Sequence, residues 1–442
     1  MLGIDLGTSG VKVIVTGPAG DVLGRSVAGY PVRAPAPGYA ESDPLDWWSA
    51  TRRAIHAALG EAGDHRLTVT GLAVAGQMHG LVLADERGAA LRPAIVWLDQ
   101  RAVAEAAFYQ ELPGDYTAPL RNRPAPGRAG PLLCWLATHE PNTLRCSWWA
   151  LQPKDWLRFR LTGRAATDPT DASGTLLFDL DRDTWAAPLI GKLGLPREKL
   201  PPLLPSASVA GRLLRGPAAE LGLDPGIAVA AGAGDTPAAL HAAGLRPDEA
   251  MLTLGRGGQW VIPVPSLPAE NPAGTPDGAA GLYRAVGDGY YRLAPVQNVG
   301  TTLDWVRGLF GATWQELYDT ASRPRPAGAP RFDPGCPGGG EPGERDAPPG
   351  GRWSGLLAAH ECEDLMRSAL DAVAGQLRER LDDLRAAGHA PRRVILGGGG
   401  TAHPAWRALL TETLGLPLVP APAAWLAPAG AARLAAAAAS AG

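Results

Sequence analysis

The sequence predicts an α/β fold made of two similar halves with a cleft between them. Short apolar strands alternate with amphipathic helices along the chain, which is typical of α/β proteins. The order strand, glycine turn, strand occurs at the start of the chain and again near residue 255, and we interpret it as an internal duplication. A chain of 442 residues is long enough for two domains, which we expect at 1–238 and 239–442.

In the first half, apolar and β-branched runs bounded by glycine predict strands at 2–5, 11–16 and 22–27. The stretch 43–63 predicts a helix, because apolar residues recur at helical spacing between a proline and a glycine. The runs "GLAVAGQ", "GLVLAD" and "AIVWLD" predict further strands, followed by helices around 103–112 and 131–139. The run "GIAVAAGAGD" predicts a strand that ends at Asp235.

In the second half, the pattern begins again with a predicted helix, "TPAALHAAG", and the predicted strands "AMLTL" and "QWVIPV". A helix is predicted at "VGTTLDWVRGLFG", whereas 323–351 lacks periodicity and predicts a long loop that is either a lid or disordered. The stretch 361–387 carries one apolar stripe and predicts the main packing helix of this half. The chain closes with the predicted strand "RRVILGGGG", the predicted helix "AHPAWRALLTETLG" and an alanine-rich helix at 426–440.

Composition and charge favour small-molecule chemistry. The formal net charge is -3 and the charges are interspersed, so we expect no binding to nucleic acid or to an anionic membrane surface. The four cysteines are scattered without a CxxC pair, which predicts free thiols in a reducing compartment. We find neither a signal peptide nor an apolar run of about 18 residues. We therefore expect a cytoplasmic protein without a membrane span.

The stretch "IDLGTSGVK" is a candidate phosphate-binding turn. The backbone N–H groups from Gly7 to Gly10 could point into one concavity, since glycine tolerates positive φ and close approach of a ligand. Thr8 and Ser9 would add hydroxyl groups, and Lys12 would add an ammonium group from the next strand. The spacing is not that of a Walker A loop. The alternative is a plain hairpin corner.

Two acids follow apolar strands, at Asp5 and Asp235. A carboxylate at Asp5, beside the first glycine turn, could hold a hydrated Mg²⁺ against bound phosphates. A carboxylate at Asp235 could accept the proton of an attacking hydroxyl group. The alternatives are a hydrogen-bonded turn residue for Asp5 and a helix N-cap for Asp235.

Further candidates follow the other strands of both halves. The segment "AGQMHG" contains Gln77, Met78 and His79, and the segment "WLDQR" places Trp97 and Asp99 near the same rim. Taken alone, His79 is more commonly a structural residue than a catalytic one. In the second half, the glycine turns "GRGG" and "GGGG" each follow an apolar strand; they contribute Gly255, Arg256, Gly257, Gly258, Gly398, Gly399 and Gly400.

Taken together, these segments resemble the FGGY carbohydrate kinases, members of the actin-like ATPase superfamily. The similar pieces are "GIDLGTSGVKV", "YAESDPLDWW", "GQMHG", "LRPAIVW", "PKDWLRFRLTG", "DPTDASGTLLFD", "AGAGD", "GER" and "VILGGGG", in the order of the family. The resemblance implies two RNase-H-like domains, ATP and Mg²⁺ as cofactors, and a sugar as the partner substrate, with a homodimer as an open alternative. The segment "GQMHG" favours a ketose, D-xylulose first; another ketose, a polyol or a non-catalytic sensor remain alternatives.

The resemblance also implies residue roles. Asp235 would be the general base, and Asp5 with Asp235 would hold the metal. Thr8, Ser9 and Lys12 would face the transferred phosphate, with Gly7 in the same turn. Contacts with the sugar would come from Gln77, Met78, His79, Trp97, Asp99 and Asp235. The turns at 255–258 and 397–400 would hold the remaining phosphates and the adenosine.

The chain departs from the family pattern at three places. Where the family usually has a glycine turn with Thr and Ser, this chain has "GRGG", and we hypothesise that Arg256 itself reaches phosphate. The family's "GERTP" segment is here "GERDAPPGG", and the C-terminal tail after "GAARLAAAA" is short. These departures concern nucleotide binding more than the fold.

Overall fold

The structure is a computed structural model that describes residues 1–63, 68–268, 280–334 and 350–441. The strands, in chain order, are β1 (Leu2–Leu6), β2 (Gly10–Thr16), β3 (Val22–Gly29), β4 (Glu41–Ser42), β5 (Gly71–Gly76), β6 (Val82–Ala84), β7 (Ala94–Ile95), β8 (Trp149–Leu151), β9 (Phe178–Asp179), β10 (Thr184–Trp185), β11 (Val209–Arg212), β12 (Ala228–Ala230), β13 (Ala233–Gly234), β14 (Glu249–Leu254), β15 (Gly258–Val264), β16 (Gly281–Arg284), β17 (Tyr290–Val296), β18 (Arg331–Asp333), β19 (Arg352–Ser354), β20 (Arg393–Gly397) and β21 (Leu418–Pro420).

The helices connect these strands and cover both sheets. In chain order they are α1 (Pro44–Glu61), α2 (Val103–Glu111), α3 (Gly114–Thr117), α4 (Ala129–His139), α5 (Pro141–Cys146), α6 (Pro153–Thr162), α7 (Pro169–Ala172), α8 (Ala187–Lys192), α9 (Arg215–Leu221), α10 (Asp235–Ala243), α11 (Val299–Leu309), α12 (Trp314–Asp319), α13 (Cys362–Ala386), α14 (Pro404–Leu414) and α15 (Leu426–Ala441). Among the described residues, none of these helices is long and apolar enough to cross a bilayer.

The first large sheet has the strand order β11-β12-β5-β1-β2-β3, and β13 also pairs with β5. Strand β1 is antiparallel to β2 and parallel to β5, which in turn is parallel to β12 and β13. Leu2, Ile4 and Leu6 face a core that includes Trp47 of α1 and Trp156 of α6. Because β1, β5 and β13 run in the same direction, their carboxyl ends meet at one edge of the sheet.

The second large sheet repeats this arrangement. Its order is β16-β17-β15-β14-β20-β21, with β14 antiparallel to β15 and parallel to β20. The apolar stripe of α13, which includes Leu370 and Leu377, packs in the core of this half with Trp260 and Trp406. The two sheets therefore agree with the predicted duplication, since each joins an antiparallel hairpin to a parallel neighbour.

Several predicted elements have different bounds in the structure. The run "AIVWLD" contributes only the two-residue strand β7. The run "GIAVAAGAGD" is not one strand but the two strands β12 and β13, separated at Gly232, which has a φ of 84°. A Cβ at Gly232 would lie 2.0 Å from the carbonyl oxygen of Val74, so only glycine fits there.

The prediction of a long loop at 323–351 is wrong in part. Strand β18 lies inside it and pairs with β19, and Phe332 and Trp353 pack with their ring centroids 4.7 Å apart. A three-residue strand has too little sequence to show periodicity, so a local pattern could not reveal it. Cys134, Cys146 and Cys362 are free thiols, as expected. Cys336 and the "GER" segment at 343–345 lie outside the described residues.

The alanine-rich helix α15 packs on the first sheet although it falls within the predicted segment 239–442. Its Ala431 and Ala435 share a core cluster with Ala73 and Ala75 of β5. Contact is close enough that a Cβ at Gly3 of β1 would lie 2.0 Å from the carbonyl oxygen of Pro428. The domain division at 238/239 stays a prediction. Helix α15 does not follow it, because this helix lies in segment 239–442 but packs on the first sheet.

Candidate active site

The structure brings three of the predicted segments together at one edge of the first sheet. Asp5 of β1 lies opposite Ala75 of β5, and Ala75 is also the partner of Ala233 in β13. The segment from Gln77 to His79 follows β5 directly, and Asp235 follows β13. In open α/β sheets, ligands bind outside the carboxyl ends of parallel strands. This edge is therefore the candidate active site.

Asp5 is a buried carboxylate with one free oxygen. The residue is 3% exposed, and its Oδ2 pairs with Lys12 Nζ at 3.2 Å across the β1–β2 hairpin. Its Oδ1 is buried and has no hydrogen-bond partner among the described residues. Burial raises the pKa of Asp5, and the positive charge of Lys12 opposes that shift. A buried oxygen without a partner is a suitable ligand for a divalent cation.

Asp235 is the first residue of α10, and Gly234 occupies the N-cap position. The predicted N-cap alternative is therefore wrong by one residue. Asp235 Oδ1 instead accepts hydrogen bonds from the backbone N–H of Thr236 at 2.6 Å and from its hydroxyl at 3.3 Å. Burial and the negative charge of Asp5 raise the pKa of Asp235 to about 6, although the Thr236 hydrogen bonds lower it. A carboxylate with this pKa is deprotonated at neutral pH and suits a general base.

The first glycine turn has fewer groups available to bind an anion than its sequence predicts. The N–H of Gly7 donates to the carbonyl oxygen of Gly10 at 3.0 Å, which closes the hairpin. The N–H of Gly7 is thus occupied within the hairpin, and its predicted contact with phosphate stays a prediction. The hydroxyl of Thr8 accepts a hydrogen bond from Trp97 Nε1 at 2.8 Å, while Ser9 is exposed. The ligand-facing groups of this turn are thus reduced to residues 8–10 and Lys12.

Met78 packs close to Asp235, and His79 contacts Gly174. Met78 is buried, and its sulfur accepts a weak hydrogen bond from the hydroxyl of Tyr291 at 3.5 Å. A Cβ at Gly234 would lie 2.7 Å from that sulfur, so Met78 packs against the residue preceding Asp235. His79 has a φ of 76°, and its Nδ1 lies 3.0 Å from the carbonyl oxygen of Gly174. A strained residue held by its neighbours is typical of a functional site.

Sequence reasoning missed two residues near His79. Arg128 Nη1 lies 2.7 Å from His79 Nε2, and Arg128 Nη2 donates to the hydroxyl of Tyr283 at 2.8 Å. Tyr283 belongs to β16, so this contact connects the first half of the chain to the second sheet. Arg128 lies in a turn with Gly127, in which its N–H donates to the carbonyl oxygen of Ala125, but this turn does not follow an apolar strand. The pattern of glycine turns after apolar strands therefore did not indicate Arg128 or Tyr283.

The remaining predicted sugar residues differ in their surroundings. Gln77 is 1% exposed, and neither atom of its amide has a hydrogen-bond partner among the described residues. Asp99 is fully buried, and its oxygens accept hydrogen bonds from the backbone N–H of Ala40 at 2.6 Å and from Arg101 Nε and Nη2, both at 2.8 Å. These bonds favour a structural role for Asp99, and its predicted sugar contact stays a prediction. The indole N–H of Trp97 donates to the hydroxyl of Thr8, which places Trp97 beside the first glycine turn.

The "GRGG" turn follows β14 in the second sheet. The N–H of Gly255 donates to the carbonyl oxygen of Gly257 at 2.8 Å, and the N-terminus of α11 donates to the carbonyl oxygen of Arg256. The side chain of Arg256 is exposed and makes no ion pair or hydrogen bond within the described parts of the chain. Gly258 is buried in β15, where a Cβ would press on Leu377 at 3.1 Å. Packing against Leu377 is a structural reason for glycine at this position, and the nucleotide contact of Gly258 stays a prediction.

The "GGGG" turn lies beside the "GRGG" turn, because β20 is the parallel neighbour of β14. Gly398 has a φ of 108°, and a Cβ there would lie 1.8 Å from the carbonyl oxygen of Leu254. Gly399 has open space around its Cβ position, and Gly400 lies close to the hydroxyl of Tyr318. The two turns thus form one edge of the second sheet, equivalent to the edge that carries Asp5 in the first sheet.

Comparison with known proteins connects this geometry with a family. The family model for the N-terminal domain of the FGGY family of carbohydrate kinases matches residues 1–242 of this chain. The family model for the C-terminal domain matches residues 269–439. The xylulose kinase of Escherichia coli (strain K12) is 33% identical over 419 residues, 94% of this chain and 84% of that protein. The xylulose kinase of Bacillus subtilis (strain 168) is 29% identical over 411 residues, 92% of this chain and 81% of that protein.

Solved structures have the same fold. A xyloylose kinase from Brucella ovis is similar with a TM-score of 0.89 and 30% identity, over 100% of this chain and 90% of that one. The xylulose kinase from Rhodospirillum rubrum is similar with a TM-score of 0.84 and 27% identity, over 99% and 90% of the two chains. These similarities confirm the predicted α/β fold with two RNase-H-like domains. Because both domain models match in order, the chain belongs to the FGGY family of carbohydrate kinases.

Proposed function

We propose that this chain transfers the γ-phosphoryl group of ATP to D-xylulose and forms D-xylulose 5-phosphate. The observation that carries this proposal is the pair of carboxylates, Asp5 and Asp235, at the ends of neighbouring parallel strands in a carbohydrate-kinase fold. Membership of the family supports the reaction type. The xylulose kinases among the relatives, which cover more than nine tenths of this chain, support the sugar.

On the sugar side, Asp235 accepts the proton of the attacking hydroxyl group. The hydroxyl oxygen then forms a bond to the γ-phosphorus, and the bond between that phosphorus and the oxygen of ADP breaks. A base with a pKa of about 6 is ionised at neutral pH and still basic enough to take the proton as the new bond forms. Met78 and His79 lie beside Asp235 and orient the sugar.

On the phosphate side, Asp5 and Lys12 supply complementary charges. The free Oδ1 of Asp5 fits a hydrated Mg²⁺, with Asp235 as the second predicted ligand. When bound, the ion would neutralise negative charge on the phosphate oxygens. The ammonium group of Lys12 faces the same oxygens, and Thr8 and Ser9 donate hydrogen bonds to them. Phosphoryl transfer depends mainly on such positioning and charge stabilisation.

The second half supplies the nucleotide site in this proposal. The turns at 255–257 and 398–400 lie side by side at the ends of β14 and β20, with backbone groups at the sheet edge that faces a ligand in this fold class. Arg256 is exposed and carries no partner within the described residues, which supports the hypothesis that it reaches phosphate. Segment 1–238 would then bind sugar and phosphate, and segment 239–442 would bind the nucleotide.

An ATP-dependent phosphorylation assay over a panel of ketoses, aldoses and polyols tests the proposal. With Mg²⁺ present, we expect the highest kcat/KM on D-xylulose. A higher value on another ketose or a polyol would replace the substrate and keep the reaction. Failure to phosphorylate any of them, with ATP and sugar still bound, would identify a sensor instead.

The variant Asp235→Ala tests the role of the base in the same assay. We expect kcat to fall by about 10²- to 10⁴-fold, the usual contribution of a positioned base. ATP binding, measured by titration calorimetry, should stay close to that of the wild type because Asp235 faces the sugar. The exposed Asp304→Ala serves as a control for removal of an acid, since Asp304 pairs only with Arg307 on α11. Near-normal turnover of Asp235→Ala would refute the assignment.

A further inference from the structure

A buried cluster of charged residues lies next to the segment that leads to Asp235, the candidate base. It consists of Lys154, Asp155, Arg158, Asp168 and Asp171, all of which are 0% exposed. Lys154 Nζ lies 2.6 Å from Asp155, 3.0 Å from Asp168 and 3.4 Å from Asp171. Burial by itself would lower the pKa of Lys154, but the negative charges of the three carboxylates have the larger combined effect. The pKa of Lys154 is therefore raised. Buried charges are costly unless they are paired, and these ion pairs, with that of Arg158 and Asp155 at 2.8 Å, hold this Lys154 cluster together.

The Lys154 cluster contacts the backbone of the segment that ends at Asp235. Arg158 Nη1 donates to the carbonyl oxygen of Ala231 at 3.0 Å. At the other end of the segment, the N–H of Gly234 donates to the hydroxyl of Thr170 at 3.0 Å. That hydroxyl in turn donates to Asp168 Oδ2 at 2.7 Å.

The chain needs these contacts because the strand is interrupted before Asp235. Strand β12 ends at Ala230 and β13 begins at Ala233, with Gly232 in the left-handed region between them. At this break the N–H groups of Ala231 and Gly232 donate to the carbonyl oxygens of Ser208 and Ser206. Thr170, which is 0% exposed, accepts the N–H of Gly234, and a buried N–H without a partner would cost about 1–3 kcal/mol. Gly234 is therefore held by its pairing with Gly76 of β5 and by a threonine hydroxyl anchored to the Lys154 cluster.

We propose that Thr170 is a positioning residue that sets the carboxylate of Asp235 through the N–H of Gly234, with the Lys154 cluster as its support. This inference rests on the proposed function of Asp235 as the base. Since Gly234 immediately precedes Asp235 and caps α10, a shift of its backbone moves the carboxylate. A displacement near 1 Å costs about 10²-fold in rate. Apart from Asp235 itself, the predicted sugar and ATP contacts lie on other residues, so substrate binding depends less on Thr170 than kcat does.

The variants Thr170→Val and Thr170→Ser test this inference. Valine keeps the shape and removes the hydroxyl, so we expect kcat to fall by about 10- to 100-fold. The KM values for sugar and ATP should stay within about threefold, because an effect on kcat alone marks an interaction needed in the transition state. The acidic limb of the pH profile should also shift, since the surroundings of Asp235 change. Thr170→Ser keeps the hydroxyl and should restore most of kcat.

Thr51→Val is the matched control. Thr51 is equally buried, and its hydroxyl bonds only to the carbonyl oxygen of Trp47 in its own helix, far along the chain from the site. We expect its kcat to equal that of the wild type. Retention of kcat in a folded Thr170→Val, or failure of Thr170→Ser to restore it, would overturn the inference. If Thr170→Val does not fold, Thr170→Cys takes its place under the same criteria, because a thiol is only a weak hydrogen-bonding group.

Failure of the proposed function has a different signature. If the wild type phosphorylates no sugar of the panel, the proposed function fails whatever the variants do. The inference about Thr170 is then decided by crystal structures of the wild type and of Thr170→Val. A shift of the Asp235 carboxylate in the variant supports the positioning role, and an unchanged Gly234–Asp235 backbone overturns it.

Discussion

Asp5 and Asp235 are carboxylates of one site with different surroundings, and the differences suit different roles. Asp5 forms an ion pair with Lys12 and keeps one oxygen without a hydrogen-bond partner among the described residues. Asp235 accepts a hydrogen bond from Thr236, and burial and the negative charge of Asp5 raise its pKa. Burial raises the pKa of both carboxyls, with Lys12 opposing the shift at Asp5 and the charge of Asp5 adding to it at Asp235. At the residue scale, this contrast supports a metal ligand at Asp5 and a base at Asp235.

The pKa of Asp235 predicts the pH dependence of catalysis. The base acts only when deprotonated, so kcat/KM for the sugar should fall about tenfold per pH unit below pH about 6 and reach a plateau above it. A pH profile between 5 and 8, with ATP saturating, measures the midpoint. A profile that stays flat down to pH 5 would contradict the assignment of Asp235.

The same pKa predicts a stability effect of Asp235→Asn. A carboxyl whose pKa is raised from 3.8 to about 6 by folding binds its proton more tightly in the folded state. Its contribution to stability is therefore lost as the pH rises through 6. Asp235→Asn removes the buried charge, so the variant should be more stable than the wild type at pH 8, with a smaller difference at pH 5. Urea unfolding at both pH values measures this, and equal differences would contradict it.

At the scale of elements, the end of a strand and the turn after it form a functional unit. β14 and β20 are parallel neighbours, so the turns that follow them lie in contact, with Gly398 against the carbonyl oxygen of Leu254. The first sheet uses β1, β5 and β13 in the same way. A few short motifs far apart in sequence can therefore form one site.

Gly398→Ala should damage this unit. The added Cβ would lie 1.8 Å from the carbonyl oxygen of Leu254, at a φ of 108° that alanine rarely adopts. We expect a loss of about 1–3 kcal/mol in the free energy of unfolding and a higher KM for ATP. Gly399→Ala has open space and should keep the stability of the wild type. Urea unfolding compares the two variants, and equal stability would show that the turn tolerates the change.

At the scale of the whole molecule, the two halves are joined at several points away from the chain connection. The side-chain amide of Asn122 exchanges hydrogen bonds with the backbone of Leu282 in β16, at 2.7 and 3.0 Å. Helix α15 returns to pack on the first sheet beside α10, which begins with Asp235. Helix α15 thus supports the helix that begins with Asp235, the proposed base. A homodimer stays a prediction, which sedimentation analysis would test.

Gly430→Ala tests the packing of α15. A Cβ at Gly430 would lie 1.9 Å from the carbonyl oxygen of Ala238 in α10, so the two helices would have to separate. We expect a loss of about 1–3 kcal/mol in the free energy of unfolding, as in other overpacked cores. Gly375→Ala on α13 meets no atom within 4 Å and should be neutral or stabilising by up to about 1 kcal/mol. Equal effects of both variants would contradict the close approach.

Local patterns in the sequence predicted most of the strands, glycine turns and helices, and the two acids that follow strands. Alternation of apolar residues, glycine turns and helix signals act over a few residues, so a local pattern carries them. It therefore located Asp5, Asp235 and the segment from Gln77 to His79, and the resemblance to a family added their roles.

Which polar groups remain available to a ligand depends on contacts between distant segments, and these became visible in the folded chain. Arg128 contacts His79 and Tyr283, which are distant along the chain, and Asp99 is fully occupied by Arg101 and a backbone amide. The structure also placed α15 on the first sheet. The physical reason is that burial and hydrogen-bond partners arise from contacts between segments far apart in the chain, and no local periodicity encodes them.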